Sequence, residues 1–238
     1  AVISRRATQE KYAFHNAAGF PTFSVLDPTA VYSLPKRQVA NGIVDTFIHT
    51  TEQYLTTAGS PMVMDRFAEG VLLTLTDIAP RLLADGERAY DDCANFMMAA
   101  TMGLNGFLAM GVDEDWATHM IGHELTALHG LDHGVTLAIV WPGTMRVMRR
   151  EKEAKLLQYA ARVWGITEGS TEEVIDRAIA ATEAFFQSLG VKTRLSDYGI
   201  GEATVAEIRR RFDERKWNLG ENGIVTPEKA EAILRDRL

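Results

Sequence analysis

Four of the six histidines crowd into one short stretch, HMIGHELTALHGLDHG at residues 119–134. His119 and His123 stand four residues apart in a segment whose apolar spacing predicts a helix, so both rings project from one helix face. Gly130 is expected to end that helix, and His133 returns after a turn. Imidazoles that converge from rigid supports are typical of a metal site. A proton-handling site and a chance cluster are the alternatives.

Asp45 and His49 stand four residues apart in NGIVDTFIHTTEQY, on a second predicted helix. Their neighbours are mostly apolar, and a charged carboxylate on an apolar surface needs a partner to offset its desolvation. Taken alone, the pair is interpreted as a hydrogen bond on a helix surface. Beside the histidine cluster, one carboxylate and three imidazoles form a set suited to Fe²⁺, Zn²⁺ or Ni²⁺. Because no thiolate belongs to the set, we expect an open catalytic site rather than a closed structural zinc site.

Glu52 and His129, near these candidate ligands in sequence, have less specific interpretations. Glu52 lies about one turn after His49, and we expect it either to support that ring as a hydrogen-bond acceptor or to be an ordinary surface residue. His123 and His129 are six positions apart, whereas the H-E-x-x-H motif of zinc proteases spaces its histidines by four. The zinc-protease interpretation therefore fails on geometry, and His129 is expected to be a structural or surface histidine.

The elements that must position these residues are mostly helical. The lead, residues 1–35, is punctuated by prolines and contains two strand-like runs, AVIS at 1–4 and TFSVLD at 22–27. Residues 36–238 are predicted to form an all-α domain of roughly eight or nine helices. Apolar spacing places helices over 36–55, 65–84, 93–110, 113–129, 151–165, 169–190, 203–216 and 226–238, the last with Thr226 as its N-cap and Pro227 at its first position.

The composition limits the partners and the compartment. The 238 residues carry a formal net charge of −7, which argues against nucleic acid or an anionic membrane as the main partner. The most apolar stretch, residues 95–111, is too short and interrupted to span a bilayer and is interpreted as a buried core helix. Cys93 is the only cysteine, so no internal disulfide can form, and a reducing cytoplasm fits. We expect Cys93 to be buried and structural, and the arginine-rich residues 209–216 to be a solvated helix face.

The spacing of these residues resembles that of the iron-containing (group III) alcohol dehydrogenases along nearly the whole chain. FSVLDP, LPKRQVANGIVDTFIHTTEQY and DWATHMIGHELTALHGLDHGVTLAIVWP carry the likeness, and AKLLQYAARVWGITEGS and LSDYGI resemble the branch of NADP-dependent aldehyde reductases and butanol dehydrogenases. The resemblance implies that Asp45, His49, His119 and His133 bind one divalent metal, Fe²⁺ or Zn²⁺. It also implies that His123 lies near the nicotinamide and the substrate, as a catalytic proton-relay or orienting group that contacts the cofactor.

The resemblance further implies hydride transfer between NADP(H), favoured over NAD(H), and a primary alcohol or aldehyde, by a cytoplasmic homodimer. Members of the family begin with an α/β nucleotide-binding domain that carries a glycine-rich turn, and no such turn is found here. We therefore expect the chain to be mainly the C-terminal metal-binding half, with residues 1–35 a β-containing remnant of the first domain and residues 36–238 the catalytic domain. Two alternatives stay open: a metal-dependent lyase or synthase of the dehydroquinate-synthase architecture, and a non-catalytic helical module.

Overall fold

Helices dominate the chain, as the apolar spacing predicts. The computed structural model describes residues 2–57, 59 and 61–238, and within these residues the chain forms nine α-helices and one two-stranded sheet. The mainly-α fold class is therefore confirmed. In chain order the helices are α1 Lys36–Tyr54, α2 Met62–Leu83, α3 Tyr90–Leu104, α4 Ala117–His129, α5 His133–Val147, α6 Glu153–Val163, α7 Thr171–Ser188, α8 Glu202–Arg215 and α9 Pro227–Asp236.

The lead contains a short antiparallel hairpin. Strand β1 (Val2–Arg5) overlaps the predicted run at 1–4, of which Ala1 lies outside the described residues, and it pairs with β2 (Glu10–Ala13), which the sequence did not predict. The predicted strand at 22–27 is wrong: these residues are irregular and exposed. Alternating apolar side chains favour a strand only where a neighbouring strand takes up the backbone hydrogen bonds, and in the described part of the chain none pairs with this segment.

Helix α5 was missed by the sequence analysis because apolar residues surround it on all sides. Ten consecutive residues, 136–145, are buried, so no polar face marks a helical period. Two glycines let α5 approach its neighbours closely. A Cβ at Gly134 would lie 2.5 Å from the carbonyl oxygen of Asn41 in α1, and a Cβ at Gly143 would lie 2.6 Å from that of Ile233 in α9.

The helix ends follow local chemistry. Thr226 caps α9 by accepting a hydrogen bond from the Lys229 amide, with Pro227 in the first turn, as predicted. Helix α3 ends at Leu104 rather than near residue 110 as predicted, because the chain turns at Asn105 and at Gly106, where φ is +83°. None of the helices in the described residues combines the length and the apolar character that a membrane span requires.

Two apolar clusters form the core, and α5 contributes to both. One cluster joins α5 to α1, α2, α3, α6 and α7, with Trp141 fully buried in it. The other joins α5 to α4, α8 and α9 through Ile139 and Val140. Because α5 contacts both α1 and α4, the three helices meet along one seam, which brings their polar residues together.

Cys93 is fully buried in α3, and burial raises the pKa of its thiol, which agrees with a structural role. The arginine-rich stretch at 209–216 is partly a solvated helix face, since Arg209 and Arg210 pair with surface carboxylates. Two further arginines of the stretch instead contact the buried Glu124 of α4, so α8 is held against the histidine-bearing helix.

Candidate metal centre

The seam between α1, α4 and α5 brings together the residues that the sequence singled out. Asp45 and His49 lie one turn apart on α1, His119 lies in the first turn of α4, and His133 begins α5. One ligand atom each from Asp45, His49 and His119 lies within 4.8 Å of the other two. The rings of His49 and His119 have their centroids 4.3 Å apart, and those of His119 and His133 are 5.2 Å apart.

The carboxylate of Asp45 is the centre of this group. Its Oδ1 lies 3.3 Å from His49 Nδ1, and 3.5 Å from the Nε2 atoms of both His119 and His133. Asp45 Oδ1 and His119 Nε2 are buried, yet neither has a hydrogen-bond partner in the part of the chain that the structure describes. Buried polar atoms without partners are unfavourable, and here two of them face each other.

This arrangement fits a divalent metal ion. Bonds of 2.0–2.2 Å in a tetrahedral site place neighbouring ligand atoms roughly 3.3–3.6 Å apart, which matches the 3.5 Å from Asp45 Oδ1 to the Nε2 atoms of His119 and His133. A carboxylate and imidazoles are suitable ligands for iron or zinc. The side chains of Asp45 and His133 are 32% and 30% exposed, whereas those of His49 and His119 are only 11% and 6% exposed. The site is therefore open on the Asp45–His133 side.

Hydrogen bonds fix two of the rings. His49 Nδ1 lies 2.8 Å from the main-chain oxygen of Asp45, so donation there leaves Nε2 as the free ring nitrogen. Glu52, which the sequence placed as a support for His49 or as a surface residue, is buried and instead contacts His119 Nδ1. Both expectations for Glu52 are wrong in detail, because α1 packs against α4 and turns Glu52 toward His119. This contact directs His119 Nε2 toward Asp45.

A lysine of the lead adjoins the third ring. Lys11, on β2, is 8% exposed, and its Nζ lies 3.2 Å from His133 Nδ1. Burial lowers the pKa of Lys11, while the charge of Asp45 opposes that shift. Lys11 could not be predicted from the sequence, because it is 122 residues from His133 and lies on an unpredicted strand.

His123 lies beside His119 and His133 but is not one of the candidate ligands. It is 3% exposed, and its ring centroid lies 5.3 Å from that of His133 and 6.4 Å from that of His119. Its Nδ1 is buried and finds no hydrogen-bond partner among residues 2–57, 59 and 61–238. His129, at the end of α4, is separate: its Nε2 contacts Thr204 Oγ1 at 2.9 Å at the protein surface, as expected for a surface histidine.

Trp116, a second residue that the sequence analysis missed, covers one side of the two buried rings. Its indole meets His49 and His119 edge-on, with centroid distances of 5.5 and 5.0 Å. It immediately precedes α4 and has φ of +59°, a left-handed conformation that is uncommon for a bulky residue. No local sequence signal distinguishes such a tryptophan from a core residue.

The pKa shifts of these side chains leave most of them in the protonation state that binds a cation. Burial would raise the pKa of Asp45, but its contact with His119 and the nearby charge of His49 lower that pKa to about 2. Burial and the neighbouring charge of His119 lower the pKa of His49 to about 4. Burial also lowers the pKa values of His123 and His133, each to about 3. At neutral pH the Asp45 carboxylate is therefore ionised and the His49 and His133 imidazoles are neutral, which are the forms that bind metals, and the His123 ring is neutral as well.

His119 differs from the other histidines. Burial would lower its pKa, but the charge of Glu52 and the contact with Asp45 raise it to about 9. Burial in turn raises the pKa of Glu52. In the absence of a metal ion, a pKa of about 9 keeps His119 protonated at neutral pH beside Glu52 and Asp45, and a metal ion bound at Nε2 would take the place of a proton.

The chain belongs to the iron-containing alcohol dehydrogenase family. The signature of the Fe-containing alcohol dehydrogenase family, C-terminal region, matches residues 39–236. The four residues that approach one another at the seam all lie inside this match. The match also covers α1 to α9 apart from the first three residues of α1.

Known proteins of this family resemble the chain in both sequence and structure. NADPH-dependent aldehyde reductase YqhD of Escherichia coli is 54% identical over 234 residues, which is 98% of this chain and 60% of that protein. NADP-dependent alcohol dehydrogenase 3 of Entamoeba histolytica is 42% identical over 89% of this chain and 54% of that protein. A crystal structure of E. coli YqhD superposes with a TM-score of 0.96, at 53% identity, over all of this chain and 61% of that one.

A more distant solved structure has the same fold over the length of this chain. NADH-dependent butanol dehydrogenase A of Thermotoga maritima superposes with a TM-score of 0.92 at 32% identity, over all of this chain and 61% of that one. The chain thus spans about 60% of the length of the relatives that it matches.

Proposed function

We propose that this chain is the metal-binding part of an aldehyde reductase or alcohol dehydrogenase that transfers hydride between NADP(H) and a primary alcohol or aldehyde. The observation that carries the proposal is the unpartnered Asp45 Oδ1, surrounded by histidine nitrogens at 3.3–3.5 Å. The names of the relatives support NADP(H): the 54% and 42% identical proteins are called NADPH- and NADP-dependent, whereas one at 38% is called NADH-dependent.

In this proposal Asp45, His49, His119 and His133 hold Fe²⁺ or Zn²⁺. When bound, the ion supplies Lewis-acid polarisation of the carbonyl group or stabilises the alkoxide. Asp45 balances part of the positive charge, and neutral imidazoles leave the rest of it available to the substrate oxygen. The open side at Asp45 and His133 is the side from which substrate enters.

His123 is proposed as the catalytic group beside the metal ligands and as a contact of the nicotinamide. Its buried Nδ1 lacks a partner in the described structure, so it is available to a substrate or cofactor atom. Burial keeps the ring neutral at physiological pH, in the form that accepts a proton. His123 therefore holds or relays the proton that the alcohol loses.

The remaining partners and boundaries follow from the same proposal. We propose a domain boundary at residues 35 and 36, where the hairpin-containing lead ends and α1 begins. The other wall of the substrate cleft is then supplied by an α/β nucleotide-binding domain. A cytoplasmic protein that binds neither nucleic acid nor membrane is consistent with the net charge of −7 and with the lone buried cysteine, and the homodimer is proposed from the family resemblance alone.

The relatives described above are named as oxidoreductases, so neither the lyase or synthase alternative nor the non-catalytic module is favoured. The test is NADPH oxidation with butanal, measured at 340 nm on this chain joined to its nucleotide-binding domain. We expect turnover that requires Zn²⁺ or Fe²⁺ and that His123→Ala lowers without releasing the metal. Absence of turnover by the metal-loaded protein with several short-chain aldehydes would contradict the proposed reaction.

A further inference from the structure

A buried cluster of charged residues lies behind the metal centre and contacts none of its proposed ligands. Lys152, which precedes α6, is 1% exposed. Its Nζ lies 2.8 Å from Asp115 Oδ2 and 2.9 Å from Glu221 Oε1, and it donates to the main-chain oxygen of Leu55 at 2.5 Å. One ammonium group thus joins two buried carboxylates to the residue that follows α1.

Asp115 connects this cluster to the start of α4. Its Oδ1 accepts a hydrogen bond of 2.8 Å from the amide of Ala117, the first residue of α4. Its own amide donates to the main-chain oxygen of Glu52 in α1 at 2.9 Å. The side chain of Glu52 in turn accepts from the Thr118 amide at 2.6 Å and contacts His119 Nδ1. Two acidic residues therefore hold both the first turn of α4 and the orientation of its histidine.

The end of α1 is held at the same point. Leu55 bonds to Lys152 through its carbonyl group, and the amide of Thr57 donates to Glu221 Oε1 at 2.8 Å. Helix α1 carries Asp45 and His49, and α4 carries His119. Lys152 thus lies where the end of α1 meets the start of α4, two of the three helices that carry proposed ligands, although it is distant from both in sequence.

The conformation of Trp116 shows that this junction is tightly constrained. A tryptophan at φ of +59° is unfavourable unless the surrounding contacts hold it there. Asp115, on its N-terminal side, is fixed by Lys152 and Glu52, and Ala117, on its C-terminal side, is fixed by Asp115.

We propose that Lys152 is a positioning residue of the metal centre. It sets the position of α4 against α1, so that His119 Nε2 faces Asp45 Oδ1. Loss of the ammonium group would leave Asp115 and Glu221 as unpaired buried carboxylates. Asp115 would then move toward water, the amide of Ala117 at the start of α4 would lose its acceptor, and His119 would turn away from Asp45. The inference rests on the proposed metal-binding function, which it deepens.

The chain offers a closely matched control. Lys155 lies three residues further along and is 8% exposed, and its Nζ contacts both carboxylate oxygens of Asp65 at 2.6 and 2.7 Å. Asp65 is 2% exposed and belongs to α2, which carries none of the proposed ligands. Removing either lysine breaks a buried ion pair. Only the partner of Lys152, Asp115, is hydrogen-bonded to the start of α4.

The experiment compares Lys152→Met with Lys155→Met, using Zn²⁺ and Co²⁺ as probes. Zn²⁺ affinity is measured by competition with a chromogenic chelator, and the Co²⁺ absorption spectrum reports the ligand geometry. Because supporting contacts of metal ligands affect affinity by about 10- to 100-fold, we expect Lys152→Met to weaken Zn²⁺ binding by at least ~10-fold and to alter the Co²⁺ spectrum. Lys155→Met should stay within about twofold of the unmodified protein, with its spectrum unchanged.

Asp115→Asn, paired with Asp65→Asn, provides the same comparison if Lys152→Met does not fold. Equal Zn²⁺ affinities within either matched pair of folded variants would overturn the positioning role while leaving the proposed metal site intact. Failure of the unmodified protein to bind Zn²⁺ or Co²⁺ would instead overturn the proposed function itself, and this inference with it.

Discussion

Gly134, the residue after His133, lies directly against the backbone of α1. A Cβ at this position would lie 2.5 Å from the carbonyl oxygen of Asn41 and 2.8 Å from its Cα. Ordinary contacts of this kind are longer by roughly 0.7–1 Å, and the neighbouring atoms belong to the backbone of a buried helix, so they cannot rotate away. Gly134→Ala must therefore separate α5 from α1 by several tenths of an ångström.

We expect this substitution to affect both stability and the metal centre. Overpacking of a core costs about 1–3 kcal/mol of unfolding free energy, and contact with three backbone atoms of Asn41 places Gly134→Ala toward the upper end. His133 moves with the start of α5, so its Nε2, now 3.5 Å from Asp45 Oδ1, is displaced from the group. Zn²⁺ affinity should fall by at least ~10-fold.

Urea unfolding in the presence of chelator measures the first effect, and chelator competition measures the second. Gly70→Ala on α2 is the control, because apart from its own turn of helix no described atom lies within 4 Å of its Cβ position, and alanine favours a helix over glycine by about 1 kcal/mol. A Gly134→Ala variant that is as stable as the unmodified protein and binds Zn²⁺ equally well would refute the packing argument.

Three further predictions follow. Glu52→Gln should weaken Zn²⁺ binding by about 10- to 100-fold, because the contact that orients His119 loses its charge. Cys93 should react with iodoacetamide far more slowly than a free thiol at pH 8.5, because burial excludes the reagent and raises the pKa of the thiol. Below pH 6.5 the unfolding free energy of the metal-free protein should fall by up to ~1.4 kcal/mol per pH unit for each of His123 and His133, because the unfolded chain takes up protons that the folded chain, with pKa values of about 3, does not.

Each of these has its own control. Glu87→Gln, on the surface, should leave Zn²⁺ binding unchanged; if Glu52→Gln does the same, the orienting contact is unimportant. Urea should bring the alkylation rate of Cys93 up to that of a free thiol, and rapid reaction of the folded protein would contradict its burial. Replacing His123 by Gln should make the pH dependence less steep, and an unchanged slope would show that this ring is not held neutral.

Part of the candidate site could be predicted from the sequence, because the residues proposed as ligands give local signals on each helix. Asp45 and His49 are one turn apart on a helix with clear apolar spacing, and the structure brings both to His119. Glu52 shows where local spacing fails: it lies on the same helix as His49 but contacts His119 because of how α1 and α4 pack. Lys11 depends on a contact across 122 residues, which no local pattern encodes.

Local sequence patterns also limited how much of the fold could be predicted. The helices with one apolar face were predicted, and α9 was predicted with its cap. Helix α5 was not, because its burial on all sides removes the periodic signal, and its glycines are explained only by their contacts with α1 and α9. The strand predicted at 22–27 failed for the opposite reason, since its alternating pattern has no partner strand in the described structure.

The proposed metal centre is tested most directly by the metal content of the purified chain after reconstitution with Zn²⁺, measured by mass spectrometry beside His133→Ala and His129→Ala. We expect about one ion per chain, retained in His129→Ala and lost in His133→Ala, because one carboxylate and three imidazoles complete a single site. Uptake of no metal by the unmodified chain, or equal uptake by both variants, would contradict it.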